Sequence, residues 1–568
     1  METTARSPLR RPEPTFAELF TPKLVTILRD GYTGADFRAD AIAGLTVAIV
    51  ALPLSMAIAI GSGLSPDKGL FTAIVGGFLI SALGGSRFQI GGPAGAFIVL
   101  IASIVERQGY DGLVLATLMA GMMMMAAGFL RLGTYIKYIP FPVTVGFTAG
   151  IAVIILASQL RELLGLDMAN EPAALLLKVQ AIWESVGTFR PVTVVLSLLA
   201  IATILGLRRL YPKWPGLLIA VTATTVIAWL LELDVTTIGS RFGGVPRTLP
   251  APSLPDFDLA KLAAVFPDAV AIAMLGAIES LLSAVVADGM SGRKHRSNCE
   301  LVAQGAANMA AVTFGGMCVT GTIARTATNI RAGARSPISG MLHAGYILLF
   351  MLVAAPLAAY IPLASLGGVL TVVAWNMIEK EEFASLLRAS WGDATVLMAT
   401  FLLTIFADLT VAIGVGVTLG AFLFLHRMAE SVEVEGGAPL VAEDTADGRG
   451  DGRTTYRPDA YNGDIAVYRI SGAFFFGATA AVSTALDRIG AHPKTFILDF
   501  AEVPLVDSTA ANALEGFVHK LRRAGTTVYF TSARRNVRRT LLAAGLRKPL
   551  VRYASSIEDA VAMSGGRD

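Results

Sequence analysis

The sequence predicts an all-α polytopic membrane domain followed by a small α/β domain. Hydrophobic residues make up 54% of the chain and charged residues only 16%, well outside the composition of soluble proteins. Apolar runs fill residues 40–428, and many reach the length a membrane-spanning helix needs. Beyond that point the pattern changes to short strands alternating with helices, the signature of an α/β domain.

Taken in order, residues 1–39 read as a cytoplasmic leader. Arg6, Arg10 and Arg11 are not followed by the apolar core of a signal peptide. About fourteen spans follow, near 41–62, 68–83, 94–105, 113–130, 141–158, 191–207 and 216–232, then 266–288, 300–315, 321–332, 338–356, 361–378, 393–407 and 409–425. An even count starting inside puts Arg87, Arg131/Lys137, Arg208/Arg209/Lys213, Arg293/Lys294/Arg296, Arg331/Arg335 and Lys380/Arg388 in cytoplasmic loops. Asp111, Asp167, Glu171, Glu232 and Asp234 fall on the opposite side, as the positive-inside rule expects. The expected location is the inner membrane, with both termini cytoplasmic. Residues 429–463 are polar, acidic and Gly-rich, a flexible linker. Residues 464–568 form the cytoplasmic α/β domain, with strands at 465–470, 496–500 and 527–531 and helices at 509–523 and 537–544.

Two stretches interrupt the apolar pattern. Gly91-Gly92-Pro93-Ala94-Gly95-Ala96-Phe97 opens the third span of the first half. Thr320-Gly321-Thr322-Ile323-Ala324-Arg325-Thr326-Ala327-Thr328-Asn329 opens the third span of the second. Short, Gly/Pro-interrupted segments at matching positions of two halves point to a transporter's binding site. A helix that starts inside the membrane leaves its first N–H groups free for an anion, and a cation at that depth is costly unless it serves a site. Arg325 therefore points to a negatively charged substrate. The alternative is that these small residues only let helices pack closely.

Glu279 is the second ionisable residue at membrane depth. A carboxylate there, able to hold or lose a proton, suits proton coupling; its alternative role is a permanent brace paired with Arg325. Asp288 reads as a loop contact, Asp408 as a structural turn residue, His343 as a packed core histidine, and Met122–Met125 as a lipid or core face. Cys299 and Cys318 lack metal-ligand spacing, so neither metal nor cofactor is expected. The net charge of +3 argues against a nucleic-acid partner. No phosphate-binding G-x-x-x-x-G-K-[ST] loop and no hydrolase constellation occurs, which disfavours an ATP-driven pump or an enzyme.

The chain resembles the SulP sulfate-permease family. The likeness rests on Ala43-Gly44-Leu45-Thr46, Leu52-Pro53-Leu54-Ser55-Met56-Ala57, Gly84-Gly85-Ser86-Arg87, Gly276-Ala277-Ile278-Glu279-Ser280-Leu281-Leu282 and Ile323-Ala324-Arg325-Thr326-Ala327-Thr328-Asn329-Ile330. Val506-Asp507-Ser508-Thr509 resembles the STAS-domain signature that ends such proteins. The resemblance implies a seven-plus-seven inverted repeat like that of uracil permeases, a core moving against a gate, and a homodimer. It places Pro53, Ser55, Pro93, Ala94, Ala324, Arg325 and Thr326 at or near the substrate, with Glu279 as the proton-coupling group. Ser508 or Thr509 corresponds to a position phosphorylated in related domains, the alternative being a plain helix cap. Such a phosphoacceptor would fit a second class of function, an anion sensor reporting through a cytoplasmic protein partner.

On substrate, Leu54 stands where many sulfate-transporting members carry Gln. The block Leu275–Met290 with Val373–Met377 looks closest to a bacterial branch that takes up C4-dicarboxylates such as succinate, fumarate and aspartate. The sodium-dependent bicarbonate branch has an acidic residue where this chain has Ser283, which implies protons rather than sodium. Proton-coupled dicarboxylate symport ranks first, bicarbonate second and sulfate third.

Overall fold

A computed structural model describes residues 15–134, 140–168, 172, 174–212, 214–255, 259–407, 409–436, 465–476, 479 and 493–565. The readings made on Arg6, Arg10, Arg11, Lys137, Glu171, Lys213 and Asp408 lie outside these residues. The chain divides into two compact units, Met1–Thr418 and Leu419–Asp568.

In the first unit, short helices α1 (Phe16–Phe20) and α2 (Lys23–Asp30) precede α3 (Gly34–Gly61). Next come α4 (Pro66–Leu83), with a π-helical turn at Thr72–Gly76, then strand β1 (Gly91–Gly92) and α5 (Ile98–Phe129). The two spans expected at 94–105 and 113–130 form this one element, broken at Gly109, whose φ of 69° lies in the left-handed region that favours glycine. The half continues through α6 (Phe141–Leu164), α7 (Leu175–Ser185), α8 (Pro191–Leu210), α9 (Gly216–Leu230) and α10 (Ile238–Phe242).

The second half repeats the plan with α11 (Leu259–Ser291), α12 (Ser297–Thr313), strand β2 (Thr320–Gly321), α13 (Ile323–Arg331) and α14 (Ile338–Ala358). It closes with α15 (Leu363–Met377), α16 (Lys380–Ala389), α17 (Trp391–Phe406) and α18 (Leu409–Glu430). Among the described residues, eight helices are long and apolar enough to cross a membrane, and two shorter apolar ones accompany them. Helices α7 and α16 were not expected. They are short and carry charge, and so escape a search for apolar runs.

Two buried carboxylates tie the loops of this unit. Asp40 of α3 accepts from the backbone N–H groups of Arg335 (2.6 Å) and Ser336 (3.1 Å) and from the Tyr32 hydroxyl (2.8 Å). Glu300 of α12 accepts from the N–H groups of Gly85 (2.8 Å) and Ser86 (3.0 Å). That loop feeds directly into β1. Glu300→Ala strands both donors in a dry interior, so the unit should lose roughly 2–5 kcal/mol of stability, read as a lower unfolding temperature in detergent. An unchanged transition would show that water replaces the carboxylate.

In the second unit, β3 (Glu433–Gly436) runs antiparallel to β4 (Ile465–Ser471), which continues in parallel through β5 (Thr495–Glu502), β6 (Thr527–Thr531) and β7 (Val551–Ala554). Strand β3 occupies part of the stretch read as linker. Alternate residues of β5 serve opposite faces. Phe496, Leu498 and Phe500 pack with residues of α19 (Ser508–Arg523) and α20 (Arg535–Ala543), while Ile497 joins Ile557 and Ala560 of α21 (Ile557–Gly565).

Candidate anion site

The site is built where the two halves cross. β1 pairs antiparallel with β2, Gly91 opposite Gly321 and Gly92 opposite Thr320. Each strand runs straight into a helix start. The 3₁₀ turn Gly95–Phe97 leads into α5, and Thr322 precedes α13. Neither Ala94 nor Thr322 caps its helix with a side chain. The leading N–H groups of both helices are thus left to a ligand or water, and both positive dipole ends lie beside one crossing.

Arg325 lies within this crossing. Its side chain is buried, with the residue only 2% exposed. Nη2 donates to Ser55 Oγ on α3 and to the Pro93 carbonyl, both at 3.2 Å. Nε and Nη1 have no hydrogen-bond partner among the described residues, and no carboxylate pairs with the guanidinium there. A Cβ on Gly92 would lie 1.9 Å from Nη1, so with any other residue there the tip of the guanidinium must move. Gly92→Ala should therefore expel the guanidinium from its seat and cut anion affinity roughly as much as loss of the arginine, at least tenfold. Isothermal binding to the purified variant reads this, and wild-type affinity would show that Arg325 can shift without cost.

The structure sorts the expected residues. Ser55, Pro93 and Arg325 are brought into one hydrogen-bonded group. Ala94 is buried at the start of α5, and Ala324 is exposed in the first turn of α13. Thr326 points elsewhere, because one residue along a helix turns its side chain about 100° from that of Arg325. Its Oγ1 is buried and occupied by Ile90 N–H (3.1 Å) and Ser283 Oγ (3.1 Å), so it holds the scaffold. Pro53 lines a different space, an apolar cavity of about 480 Å³ with Met56, Val221, Thr225 and Trp229. Its contribution there is to break the backbone ladder of α3 two residues before Ser55.

Helix α11 closes the crossing from one side. Gly276 O accepts from Thr320 Oγ1 (3.0 Å), Ser280 Oγ from Gln89 Nε2 (2.9 Å), and Ser283 bonds to Thr326. Glu279 stands about 60° round the helix from Gly276. It is half-buried and makes no hydrogen bond or ion pair among the described residues. The permanent brace to Arg325 is thus absent. A second carboxylate, Glu379, stands between α15 and α16. Glu379 is held above the usual carboxylate range by burial and then by Glu382. Met377, two residues earlier, comes within 3.2 Å of where a Cβ on Gly95 would sit, so the end of α15 faces the start of α5.

Sequence reasoning missed Gln89, and named Ser280, Thr320 and Asn329 only within longer motifs without giving them a role. Asn329 Nδ2 donates to Phe88 O and Ser339 Oγ, both at 2.9 Å. The available signal was the spacing of Gly276, Ser280 and Ser283, a small and polar stripe on one face of an apolar helix. Asp288 is the expected loop contact, with His295 Nδ1 at 2.7 Å. His343 is fully buried in α14, as expected of a core histidine, and both ring nitrogens lack a partner among the described residues. Met124 packs near Gly276 while Met122 is exposed.

In the second unit, Asp507 caps α19, with Oδ1 accepting from Ala510 N–H at 2.8 Å. Ser508 and Thr509 are therefore not the cap, and both are exposed in the first turn.

Comparison with known proteins agrees with this architecture. The profile of the sulfate permease family matches residues 37–400, and that of the STAS domain matches residues 458–560. The putative sulfate transporter YvdB of Bacillus subtilis is 41% identical over 497 residues, covering 87% of this chain and 91% of the relative. The bicarbonate transporter BicA of Synechocystis is 32% identical over 522 residues, covering 89% and 90%. Among solved structures, the transmembrane domain of a cyanobacterial BicA matches with a TM-score of 0.61 at 33% identity, over 67% of this chain and 98% of that one. The murine anion transporter Slc26a9 in its inward-facing state matches over 99% and 97% with a TM-score of 0.84, and at 17% identity this likeness concerns the fold alone.

Proposed function

The chain belongs to the sulfate permease family as a multi-pass membrane anion transporter, not an enzyme, and from that premise we propose that it takes up C4-dicarboxylates together with protons. The observation that carries the coupling is Glu279, half-buried beside the crossing with no cation paired to it among the described residues. A dianion seated at the two helix starts meets one buried guanidinium and two dipole ends. A proton on Glu279 removes the repulsion between that carboxylate and the incoming anion. Uptake then proceeds by alternating access, the core bearing α3, α5, α11 and α13 moving against a gate that includes α15, in a homodimer with both termini cytoplasmic. Ser283 supports protons over sodium, since a buried neutral hydroxyl that donates to Thr326 supplies no negative charge for a cation.

Bicarbonate is the second reading, favoured by the identity to proteins named as bicarbonate transporters. A counterflow panel of labelled fumarate, succinate, aspartate, bicarbonate and sulfate in liposomes separates the readings. Exchange of fumarate and succinate is the expected result; exchange confined to bicarbonate or sulfate would remove dicarboxylates. Exposed Ser508 and Thr509 suit phosphorylation beside a helix start, and a cytoplasmic partner could read that mark. Uptake at many turnovers per protein in those liposomes would argue against a pure sensor.

A further inference from the structure

A second charged hollow lies away from the anion site, at the end of the bundle carrying Arg87, Arg293, Arg296, Arg331 and Arg335. The positive-inside rule assigns that end to the cytoplasm. The hollow has a volume of about 320 Å³, and Asp30, Tyr32, Asp36, Arg87, Arg293 and Arg335 line it. Its three guanidiniums come from three separate loops: the one after α4, the one between α11 and α12, and the one after α13.

Their charges are incompletely matched. Arg335 pairs with Asp36 at 2.8 Å, and Arg87 reaches only the well-exposed Asp30, at 3.9 Å. Arg293 has no hydrogen-bond or ion-pair partner for its side chain among the described residues. Behind the hollow, Arg296 donates to Thr21 O (2.6 Å) and Thr26 Oγ1 (3.1 Å), neither of them a charge. Burial and then the Arg293 charge hold the Arg87 guanidinium below its usual range, and Asp30 offsets this only in part. Lys23 is lowered likewise by burial, then by Arg296 and Arg87. Asp36 and buried Asp40 answer Arg335, and Asp30 stands opposite Arg87, so among the described residues Arg293 is the cation of the hollow left without a carboxylate and open to an anion.

The surroundings fit a membrane interface. Helix α2 buries only Ile27, and Leu28 on α2 and Phe37 in the first turn of α3, each next in sequence to a residue lining the hollow, are exposed apolar side chains. Apolar side chains beside a basic pocket at this level suit a molecule with a charged head and an acyl tail.

We propose that this hollow is a binding site for a phosphate group, held by Arg87, Arg293 and Arg335, and supplied by an anionic lipid headgroup or by free phosphate. Guanidinium forks match phosphate oxygens, and the site is independent of the transported substrate.

The test uses the purified full-length protein in detergent, titrated with dioctanoyl phosphatidylglycerol, dioctanoyl phosphatidylcholine or inorganic phosphate, with the unfolding temperature and direct binding as readouts. Phosphatidylglycerol should stabilise the wild type and phosphatidylcholine should not. Stabilisation by inorganic phosphate at similar concentration would identify the free anion as the occupant, and its failure would identify the lipid. The double variant Arg87→Gln/Arg293→Gln should bind at least roughly tenfold more weakly, since two guanidinium contacts are lost. A control with equal charge loss, Arg535→Gln/Arg539→Gln on the exposed face of α20, should bind as wild type. Asp30→Asn, at an exposed position, should bind severalfold more tightly even if the arginine variant folds poorly. The proposal is overturned if neither phosphate source stabilises the wild type, if the two double variants respond alike, or if Asp30→Asn leaves affinity unchanged.

Discussion

Arg325→Ala should bind its anion tenfold to more than a hundredfold more weakly while still inserting into the membrane. The guanidinium is buried at the crossing of β1 and β2, bonded to Ser55 Oγ and Pro93 O, with no carboxylate beside it among the described residues. Its charge is therefore available to a ligand at the adjoining helix starts. Loss of a charge-assisted contact in a dry site costs roughly 1.5–3 kcal/mol, and each 1.4 kcal/mol or so is tenfold in affinity. Part of the loss has a structural source, because the same side chain fastens Pro93 to α3. Arg325→Lys separates the two contributions. It restores the charge but not the planar fork that spans Ser55 and Pro93, so it should recover part of the affinity. Binding of substrate by Arg325→Ala at wild-type strength would remove Arg325 from the site.

What could be read in advance follows from how locally each feature is encoded. The two helix starts were legible because Gly91-Gly92-Pro93 and the Thr320–Asn329 stretch interrupt apolar runs with small and polar residues. Span positions were legible because apolar length is a property of the segment alone. The role of Thr326 was not. Its neighbours in sequence are site residues, and only helical phase, set by the packing of α13 on α11, turns its hydroxyl toward Ile90 and Ser283. The Arg325 contacts with Ser55 and Pro93 join residues more than 200 positions apart, which no local pattern encodes. Strand β3 was hidden for the same reason: Glu433–Gly436 is acidic and Gly-containing, and becomes a strand only by pairing with Ser471 to Tyr468. Asp507 shows the opposite case. An aspartate before Ser-Thr-Ala-Ala is a local capping signal, and attention to the hydroxyl residues obscured it.

Glu279→Gln should abolish stimulation of uptake by an acidic exterior while leaving anion binding intact or tighter. The glutamine keeps the size and hydrogen-bonding capacity of the protonated acid but has no proton to release, so the site is fixed in its neutral form. With the carboxylate charge gone, an anion at the α13 start no longer meets a negative group on the facing helix, and binding should improve severalfold by the removed repulsion. Exchange of internal for external anion needs no change in protonation and should persist. Net uptake against a gradient needs the proton to leave, and should collapse. Glu379 supplies the internal comparison, as a carboxylate in the connection between α15 and α16 and not within a spanning helix. Glu379→Gln should leave stimulation of uptake by an acidic exterior in place. Uptake by the two variants and wild type is measured in liposomes across a series of external pH values. Full proton stimulation in Glu279→Gln would make Glu279 a structural residue and send the search for the coupling group elsewhere in the bundle.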